Sequence, residues 1–414
     1  MKFRKLFPLI LLLLSSLTVS AVSFDEFFTD ATLRLDYIFA GDSVEQRIYV
    51  DELRKLKGWA GRRHHLDEFP VHGNGQLVVK DAESGRTLYC HSFSTLFQEW
   101  QGTPEAAHVK KAFENVFLVP YPKKPVDVTV KLFDFHLRVT AEMTHRVDPA
   151  DILIKPAEGK CHAEKVLWKG GSPEECIDVV ILAEGYTQQQ MPLFYERAQQ
   201  ACDALFSHEP FKAMKKKFNV YALGLPSENS GVSVPREKAW KKTAVDSHFD
   251  TFYSDRYLTT LHLKHLHDQL AGVPYEHIII LANTSTYGGG GIYNSYNLTS
   301  TEHGKFMPVV VHEFGHSFAG LADEYFYDDQ YTEFYYPDVE PWEANITTMK
   351  DFASKWKDLK DKGKAGLIEG GGYQSKGVWR AFENCRMKTN EAPEFCKVCQ
   401  RELKRVIEFY TNDK

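Results

Sequence analysis

The sequence predicts an α+β protein: an N-terminal β-sandwich followed by a region of helices around a mostly parallel mixed sheet. Residues 24–150 contain short segments rich in β-forming residues and broken by Gly, Pro or Asp, at the spacing of an antiparallel sandwich. From about residue 177, strands alternate with helical stretches, which is typical of βαβ units. Apolar positions in FMPVVVHEFGHSFAG then predict a buried helix over 306–320.

The later region is predicted to contain three buried strands. These are IDVVILAEGY, FNVYALGL and EHIIILAN. A helical stretch from Met191 to Lys217 follows the first strand, and a helix near 255–270 precedes the third.

Four consecutive glycines follow the third strand, in GGGGIYNSYNL. One interpretation is a flexible loop. The other is a cleft rim and edge strand to which an extended peptide adds, because glycines allow another backbone to approach closely. On that interpretation Gly289 and Gly290 bind substrate.

The length of 414 residues accommodates two domains, and 43% hydrophobic with 26% charged residues indicates a globular protein. A net charge of -6 without a basic cluster gives no reason to expect nucleic acid as a partner.

The N-terminus resembles a secretory signal. MKFRK is a basic segment, LFPLILLLLSSLTVSA is apolar, and small residues precede Val22. We expect residues 1–21 to be removed, leaving an N-terminal β-sandwich domain over 22–160 and a second domain over 165–414. A permanent anchor is the alternative, but the run is short and no basic stop follows it. The expected location is secreted or periplasmic, without stable membrane insertion after cleavage.

Seven cysteines in an exported chain predict some disulfides and at least one unpaired thiol. Cys161 and Cys176 could pair. Cys385, Cys396 and Cys399 form a second group, for which we favour a bridge over a zinc knuckle because three cysteines lack a fourth ligand.

The segment HEFGH contains the residues that carry chemistry. His312 and His316 lie one helical turn apart, so both imidazoles project from one face and can share one ion. Glu313 can take a proton from a water that this ion activates. Gly320 can end the helix, and Asp323 and a second acid, Glu324, follow the turn. A surface helix with incidental histidines is the alternative, but its apolar content indicates burial.

HEFGHSFAGLADEY resembles the zinc-binding signature of the bacterial metallopeptidase family named for its IgA-cleaving member, which is similar to the metzincins. VVILAEGYT, FNVYALGLPSENSGV and HIIILANTSTYGGGG resemble the catalytic domain of that family in order and spacing. The resemblance covers roughly 165–410, and the β-rich region resembles the family's N-terminal domain. It implies a metzincin-like fold, Zn²⁺ as cofactor, and hydrolysis of peptide bonds in protein or peptide substrates.

The sequence departs from the metzincin motif in its spacing. The glycine lies four residues after His316 instead of three, and the third ligand position falls on Ala322, which cannot bind metal. Asp323 is displaced by the same single residue, so we predict it as the third metal ligand, with Glu324 as the alternative. Met387 in ENCRMKTNE is the candidate Met-turn residue, with ordinary packing as the alternative.

The leading hypothesis is an exported zinc endopeptidase with Glu313 as general base. Another is a secreted adhesion or glycan-binding protein whose metallopeptidase-like domain is structural. A zinc amidase acting on cell-wall peptides is a third. Glu313 favours an enzyme over the adhesion protein, because a structural site has no use for a base beside its metal.

Overall fold

The computed structural model describes residues 21–157, 159, 162–327 and 334–411. Residues 1–20 of the expected signal peptide and Cys161 lie outside these ranges, so signal cleavage and the Cys161–Cys176 pairing stay predictions. None of the helices in these ranges combines the length and apolar character needed to cross a membrane.

The N-terminal region consists of two four-stranded sheets, ordered β5-β1-β2-β8 and β4-β3-β6-β7. Its strands are β1 Phe28–Gly41, β2 Gln46–Lys57, β3 Gly75–Asp81, β4 Thr87–Phe93, β5 Lys111–Pro122, β6 Val126–Phe133, β7 Val139–Val147 and β8 Lys155–Pro156. Two short helices accompany them, α1 Phe24–Phe27 and α2 Leu96–Gln101. All strand pairs are antiparallel except β2 with β8.

The two sheets pack together through aromatic side chains. The ring centroids of Phe39 on β1 and Phe93 on β4 lie 6.1 Å apart, and those of Phe93 and Phe117 on β5 lie 4.3 Å apart. The Tyr37 hydroxyl also meets His145 Nε2 of β7 at 2.7 Å. On β3 and β6 buried side chains alternate with more accessible ones, as expected where one sheet face packs inward. The predicted N-terminal β region is confirmed.

The later region is built on one six-stranded sheet, ordered β13-β14-β12-β10-β11-β9. Its strands are β9 Ala163–Lys169, β10 Ile177–Glu184, β11 Phe218–Gly224, β12 His277–Ala282, β13 Gly289–Ile292 and β14 Tyr296–Ser300. The three inner pairings are parallel, whereas the outer strands β9 and β13 are antiparallel to their neighbours. A mostly parallel mixed sheet is therefore present.

Helices accompany this sheet, and two of them are shorter than predicted. They are α3 Met191–Ser207, α4 Leu263–Gln269 and α5 Phe306–Ala319. The helix predicted to reach Lys217 ends at Ser207. Pro210 follows three positions later, and a proline disfavours helical backbone conformation in the residue before it. The helix predicted near 255–270 begins only at Leu263, since Thr259 bridges to His248 instead.

The C-terminal part adds a small sheet and two helices. These elements are β15 Ile346–Thr347, α6 Lys357–Asp361, β16 Ile368–Gly371, β17 Gln374–Arg380 and α7 Lys397–Thr411. Strand β17 pairs antiparallel with both of its neighbours, and α7 buries Leu403, Val406 and Ile407. This part of the chain packs against α5.

The N-terminal region is joined to the later region by buried polar contacts. Arg34, fully buried on β1, donates to both oxygens of Asp36 and to Asp268 of α4. Backbone and side-chain hydrogen bonds also connect Ser94 to Tyr293 and Ser92 to Asn294. Both regions therefore contribute to the surroundings of the site described below.

Helix α5 is seated on the sheet through aromatic rings. The ring of His277 on β12 lies 4.9 Å from Phe318 and 6.2 Å from Phe314. Burial lowers the pKa of His277 to about 3. The His277 side chain that packs against α5 is therefore a neutral imidazole.

We predict that His277 makes the protein sensitive to acid. Its pKa in the folded state lies below that of an unfolded histidine. Its contribution to the free energy of unfolding is therefore complete above about pH 6.5 and is lost progressively as the pH drops toward 3. His277→Leu should flatten this dependence, measured as the urea midpoint against pH. His265→Leu, at an exposed position, is the control and should leave the slope unchanged. Equal slopes in the parent and His277→Leu would contradict the prediction.

Candidate metal centre

The site is organised by the end of α5. Gly320 follows the helix with φ +60° and ψ 34°, a left-handed conformation that favours glycine. Its N–H donates to His316 O, and the N–H of Leu321 donates to Gly315 O. A Cβ on Gly320 would lie 2.3 Å from the Trp342 ring. The chain therefore reverses here and runs back along the helix.

This reversal brings three candidate ligand atoms to one point. His312 Nε2 lies 3.0 Å from His316 Nε2. Asp323 Oδ1 lies 3.0 Å from His312 Nε2 and 3.2 Å from His316 Nε2. Asp323 is the acid that faces the imidazoles, whereas the side chain of Glu324 is directed elsewhere.

The opposite nitrogen of each imidazole is held by a backbone carbonyl. His312 Nδ1 lies 2.9 Å from Arg386 O, and His316 Nδ1 lies 2.5 Å from Leu321 O. A carbonyl can only accept, so both Nδ1 atoms carry hydrogen and both Nε2 atoms keep their lone pairs when the rings are neutral. The rings are thus oriented as metal ligands require.

Hydrogen bonds from the segment 372–373 fix the position of Asp323. The Tyr373 hydroxyl donates to Asp323 Oδ2, and the N–H of Gly372 donates to Asp323 O at 2.8 Å. The preceding residue, Ala322, is bonded through both its N–H and its carbonyl to the side chain of Asn345. Little freedom remains for this carboxylate to turn away.

The three atoms fit a metal ion. Bonds of about 2.0–2.2 Å in a tetrahedral arrangement separate ligand atoms by about 3.3–3.6 Å, close to the distances found here. Asp323 Oδ1 is buried and has no hydrogen-bond partner among the described residues. A buried carboxylate oxygen is costly without a donor or a cation. Two imidazoles and one carboxylate are also ligands that zinc accepts.

The charges of the candidate ligands favour a positive charge at this point. Burial opposes both charges, but Asp323 raises the pKa of His316 to about 9. The imidazoles in turn outweigh burial and hold the pKa of Asp323 below its ordinary value. The site therefore has a strong electrostatic preference for a cation.

Glu313 stands beside this group. Its carboxylate and the two imidazoles offer atoms that all lie within 4.8 Å of one another. Burial raises the pKa of Glu313 above its ordinary value, while the two imidazoles draw it down. A carboxylate in this position can accept a proton from a water molecule bound between the imidazoles.

Met387 lies beneath the helix. It is fully buried, and a Cβ on Gly315 would approach its sulfur to 2.7 Å. Its carbonyl accepts the N–H of Glu324 at 2.8 Å, and the preceding residue, Arg386, supplies the carbonyl that holds His312. The turn at 385–387 therefore contacts both the helix and the ligand segment.

The two glycines predicted to bind substrate lie on β13, at the edge of the sheet. A Cβ on Gly289 would lie 3.0 Å from Glu313 Oε1, so the glycine leaves room for this carboxylate. On the outer side, Gly289 bridges to Tyr257, and a Cβ on Gly290 would lie 2.7 Å from the Tyr257 ring. Tyr257 thus covers this edge, which argues against a peptide pairing directly with these residues. A role in substrate binding stays a prediction.

The metal group opens into a cleft of about 920 Å³. Several of its lining residues carry no signal in the sequence, because they come from distant segments. They include Glu99, Arg256, Tyr257, Trp342 and Tyr373. Glu99 belongs to α2 of the N-terminal region, accepts a hydrogen bond from the Tyr257 hydroxyl, and has its pKa raised to about 7 by burial.

The cysteine predictions need correction. No two cysteines of the described ranges form a disulfide, so Cys385, Cys396 and Cys399 do not form a bridge. They meet around Glu324, whose carboxylate lies 3.1 Å from Cys399 Sγ. A carboxylate sixty-one positions before Cys385 therefore lies next to the three thiols.

Comparison with known families agrees with this arrangement. Residues 166–367 and 360–407 match the model of a family described as IgA Peptidase M64, and residues 23–144 match that of the Peptidase M64 N-terminus. A search of curated proteins finds no match. Since the matches span most of the chain and include the whole metal group, the chain belongs to the IgA peptidase M64 family.

Proposed function

We propose that this protein is an exported zinc-dependent endopeptidase. The observation that carries the proposal is the convergence of His312 Nε2, His316 Nε2 and Asp323 Oδ1 within 3.0–3.2 Å. Glu313 lies beside them in a cleft. Membership of a peptidase family supports the reaction class, and the apolar N-terminal segment supports export.

The chemistry of the ligands favours zinc with one position open. Three protein ligands and a fourth position for water or substrate are typical of catalytic zinc sites. A zinc ion bound there would polarise the substrate carbonyl and lower the pKa of a water molecule from 15.7 to roughly 7. All three ligand residues line the cleft, from which water or substrate would reach the fourth position.

Glu313 is the general base of the proposed mechanism. Its carboxylate takes a proton from the attacking water and then passes it to the leaving amine. Its position beside the two imidazoles places the carboxylate within reach of a water bound at that point. Tyr325 lines the same cleft and is a candidate donor to the developing oxyanion.

A metzincin-like arrangement is part of the proposal. Helix α5 supplies two imidazoles and the base, a glycine reverses the chain, and Asp323, one position after that of the third histidine in the metzincin motif, faces the two imidazoles. Met387 below the helix supports a Met-turn role. The division into a signal peptide at 1–21, a β-sandwich domain at 22–160 and a peptidase domain at 165–414 belongs to the same proposal.

The substrate class follows from the open cleft. Its volume of about 920 Å³ accommodates a segment of a protein or peptide next to the metal group. An adhesion protein with a structural metal would need neither this access nor Glu313. The direct experiment is to identify cleavage sites in a proteome-derived peptide library, comparing the zinc-loaded protein with the same protein after chelation. Cleavage confined to the zinc-loaded sample supports the proposal, and its absence from both samples contradicts it.

Replacement of Glu313 by Gln tests the base. The amide preserves shape but cannot accept the proton, so kcat/KM on library-derived peptides should fall about 10²–10⁴-fold. Metal content should stay at the level of the parent. Glu228→Gln, an exposed position that pairs with Lys242, is the control and should keep full activity. Near-normal turnover by Glu313→Gln would show that another group takes the proton.

Two further variants test the third ligand. Asp323→Ala should abolish the zinc-dependent recovery of cleavage by chelator-treated protein, because two imidazoles alone hold zinc weakly. Tyr373→Phe removes the hydroxyl that donates to Asp323 Oδ2 and also hydrogen-bonds Tyr325, so the free zinc needed for half recovery should rise about 10–100-fold. Tyr336→Phe, in the same cleft but stacked on His136, is the control. Recovery of Asp323→Ala at the zinc level that suffices for the parent would move the ligand elsewhere.

A further inference from the structure

A second group of metal-ligand atoms lies behind the candidate metal centre. Ligand atoms of Glu324, Cys385, Cys396 and Cys399 all lie within 4.8 Å of one another. Cys399 Sγ is 3.6 Å from both Cys385 Sγ and Cys396 Sγ. Glu324 Oε1 is 3.1 Å from Cys399 Sγ and 4.0 Å from Cys396 Sγ. Four zinc ligands at the corners of a tetrahedron, with zinc–sulfur bonds of about 2.3 Å, would be separated by about 3.5–3.8 Å.

The four residues are buried as a closed group. Glu324, Cys385 and Cys399 are fully buried, and Cys396 is nearly so. Closed four-ligand sites without solvent access are typical of structural zinc, in contrast to catalytic sites that keep a position open. The group also differs from the site in the cleft because none of its members lines that cleft.

The buried carboxylate of Glu324 lacks a compensating positive charge among the described residues. Its Oε1 accepts a hydrogen bond from Asn345 Nδ2 at 3.0 Å, but its buried Oε2 has no partner among the described residues. It also forms no ion pair within the described part of the chain. An ionised carboxylate buried in this way is costly unless a positive charge lies next to it. A bound divalent metal would supply that charge.

The local backbone also suits thiolate ligands. The N–H of Cys396 donates to Cys385 Sγ at 3.2 Å. Cys396 immediately precedes α7 and Cys399 lies in its first turn, so the positive end of a helix of 15 residues is directed at the sulfurs. The pair is separated by two residues, which is the spacing of a zinc knuckle.

We propose that Cys385, Cys396, Cys399 and Glu324 bind a second zinc ion with a structural role. Three soft thiolates at tetrahedral spacing select zinc over magnesium or calcium. The site requires no catalytic activity of the protein and stands independently of the proposed peptidase function.

This second site connects two segments that orient the first. Glu324 follows Asp323 directly, and Cys385 precedes Arg386, whose carbonyl holds His312. The two segments already share the hydrogen bond from Glu324 N to Met387 O. A metal bound by Glu324 and Cys385 would tie both segments together and hold Asp323 and His312 in register.

Metal content measured by elemental analysis of the chain purified without chelator tests the proposal. The parent should contain two zinc ions per chain, and Cys399→Ser should contain one. Cys202→Ser removes a buried thiol in α3, far from the group in sequence, and should keep both ions. His316→Ala should lose only the ion in the cleft. One zinc in the parent that Cys399→Ser retains would overturn the proposal.

Cobalt substitution separates the two sites without any activity assay. Thiolate ligands give Co²⁺ an intense charge-transfer absorption that imidazole and carboxylate ligands do not. The absorption should persist in His316→Ala and disappear in Cys399→Ser. If Cys399→Ser does not fold, Glu324→Gln should still fold and bind the second ion more weakly than the parent, because the amide lacks the negative charge of the carboxylate ligand. An intact mass that shows a disulfide between two of the three cysteines would overturn the proposal, as would an unchanged absorption in Cys399→Ser.

Discussion

The reversal of the chain at Gly320 is the constraint on which the site depends. Two imidazoles on one helix face can hold a metal only loosely, so the third ligand must return to the same face within a few residues. Gly320 adopts φ +60° where a side chain would be strained and would collide with Trp342. Asn345 then fixes Ala322, and Asp323 arrives 3.0 Å from His312 Nε2.

Beyond this turn the backbone runs extended, which explains why adjacent acids have different partners. Segments 323–325 and 372–373 are joined by the hydrogen bonds of Gly372 to Asp323 and of Tyr373 to Tyr325. Successive side chains of an extended chain point to opposite sides. Asp323 therefore faces the imidazoles and Glu324 faces the cysteines. If both groups bind metal, the two ions are coupled through a single peptide bond.

The N-terminal region is part of the surroundings of the site as well as a separate β structure. Its helix α2 places Glu99 in the cleft, where Tyr257 donates to it. Buried Arg34 bonds to Asp268, and Trp342, which packs against Gly320, donates to Asn74 at 2.8 Å. Removing one region would leave buried polar groups of the other without partners, so we expect the two to be interdependent in stability.

The sequence by itself determined the features that depend on local spacing. The helical period brings His312 and His316 to one face, and the alternation of strands and helices indicates a mostly parallel sheet. The sequence also limited the candidates for the third ligand to two neighbouring acids after Gly320. It favoured Asp323, because Asp323 and the glycine are both displaced by one residue from the metzincin spacing. Helix ends were less predictable, since Pro210 and the Thr259 bridge override the apolar pattern around them. Only the tertiary structure decided which acid faces the imidazoles, that Tyr257 covers Gly290, and that Glu324 completes the group of three cysteines. The contacts of Tyr257 and Glu324 join residues 33 to 75 positions apart, and packing of separate segments brings them together without leaving a periodic signal in the chain.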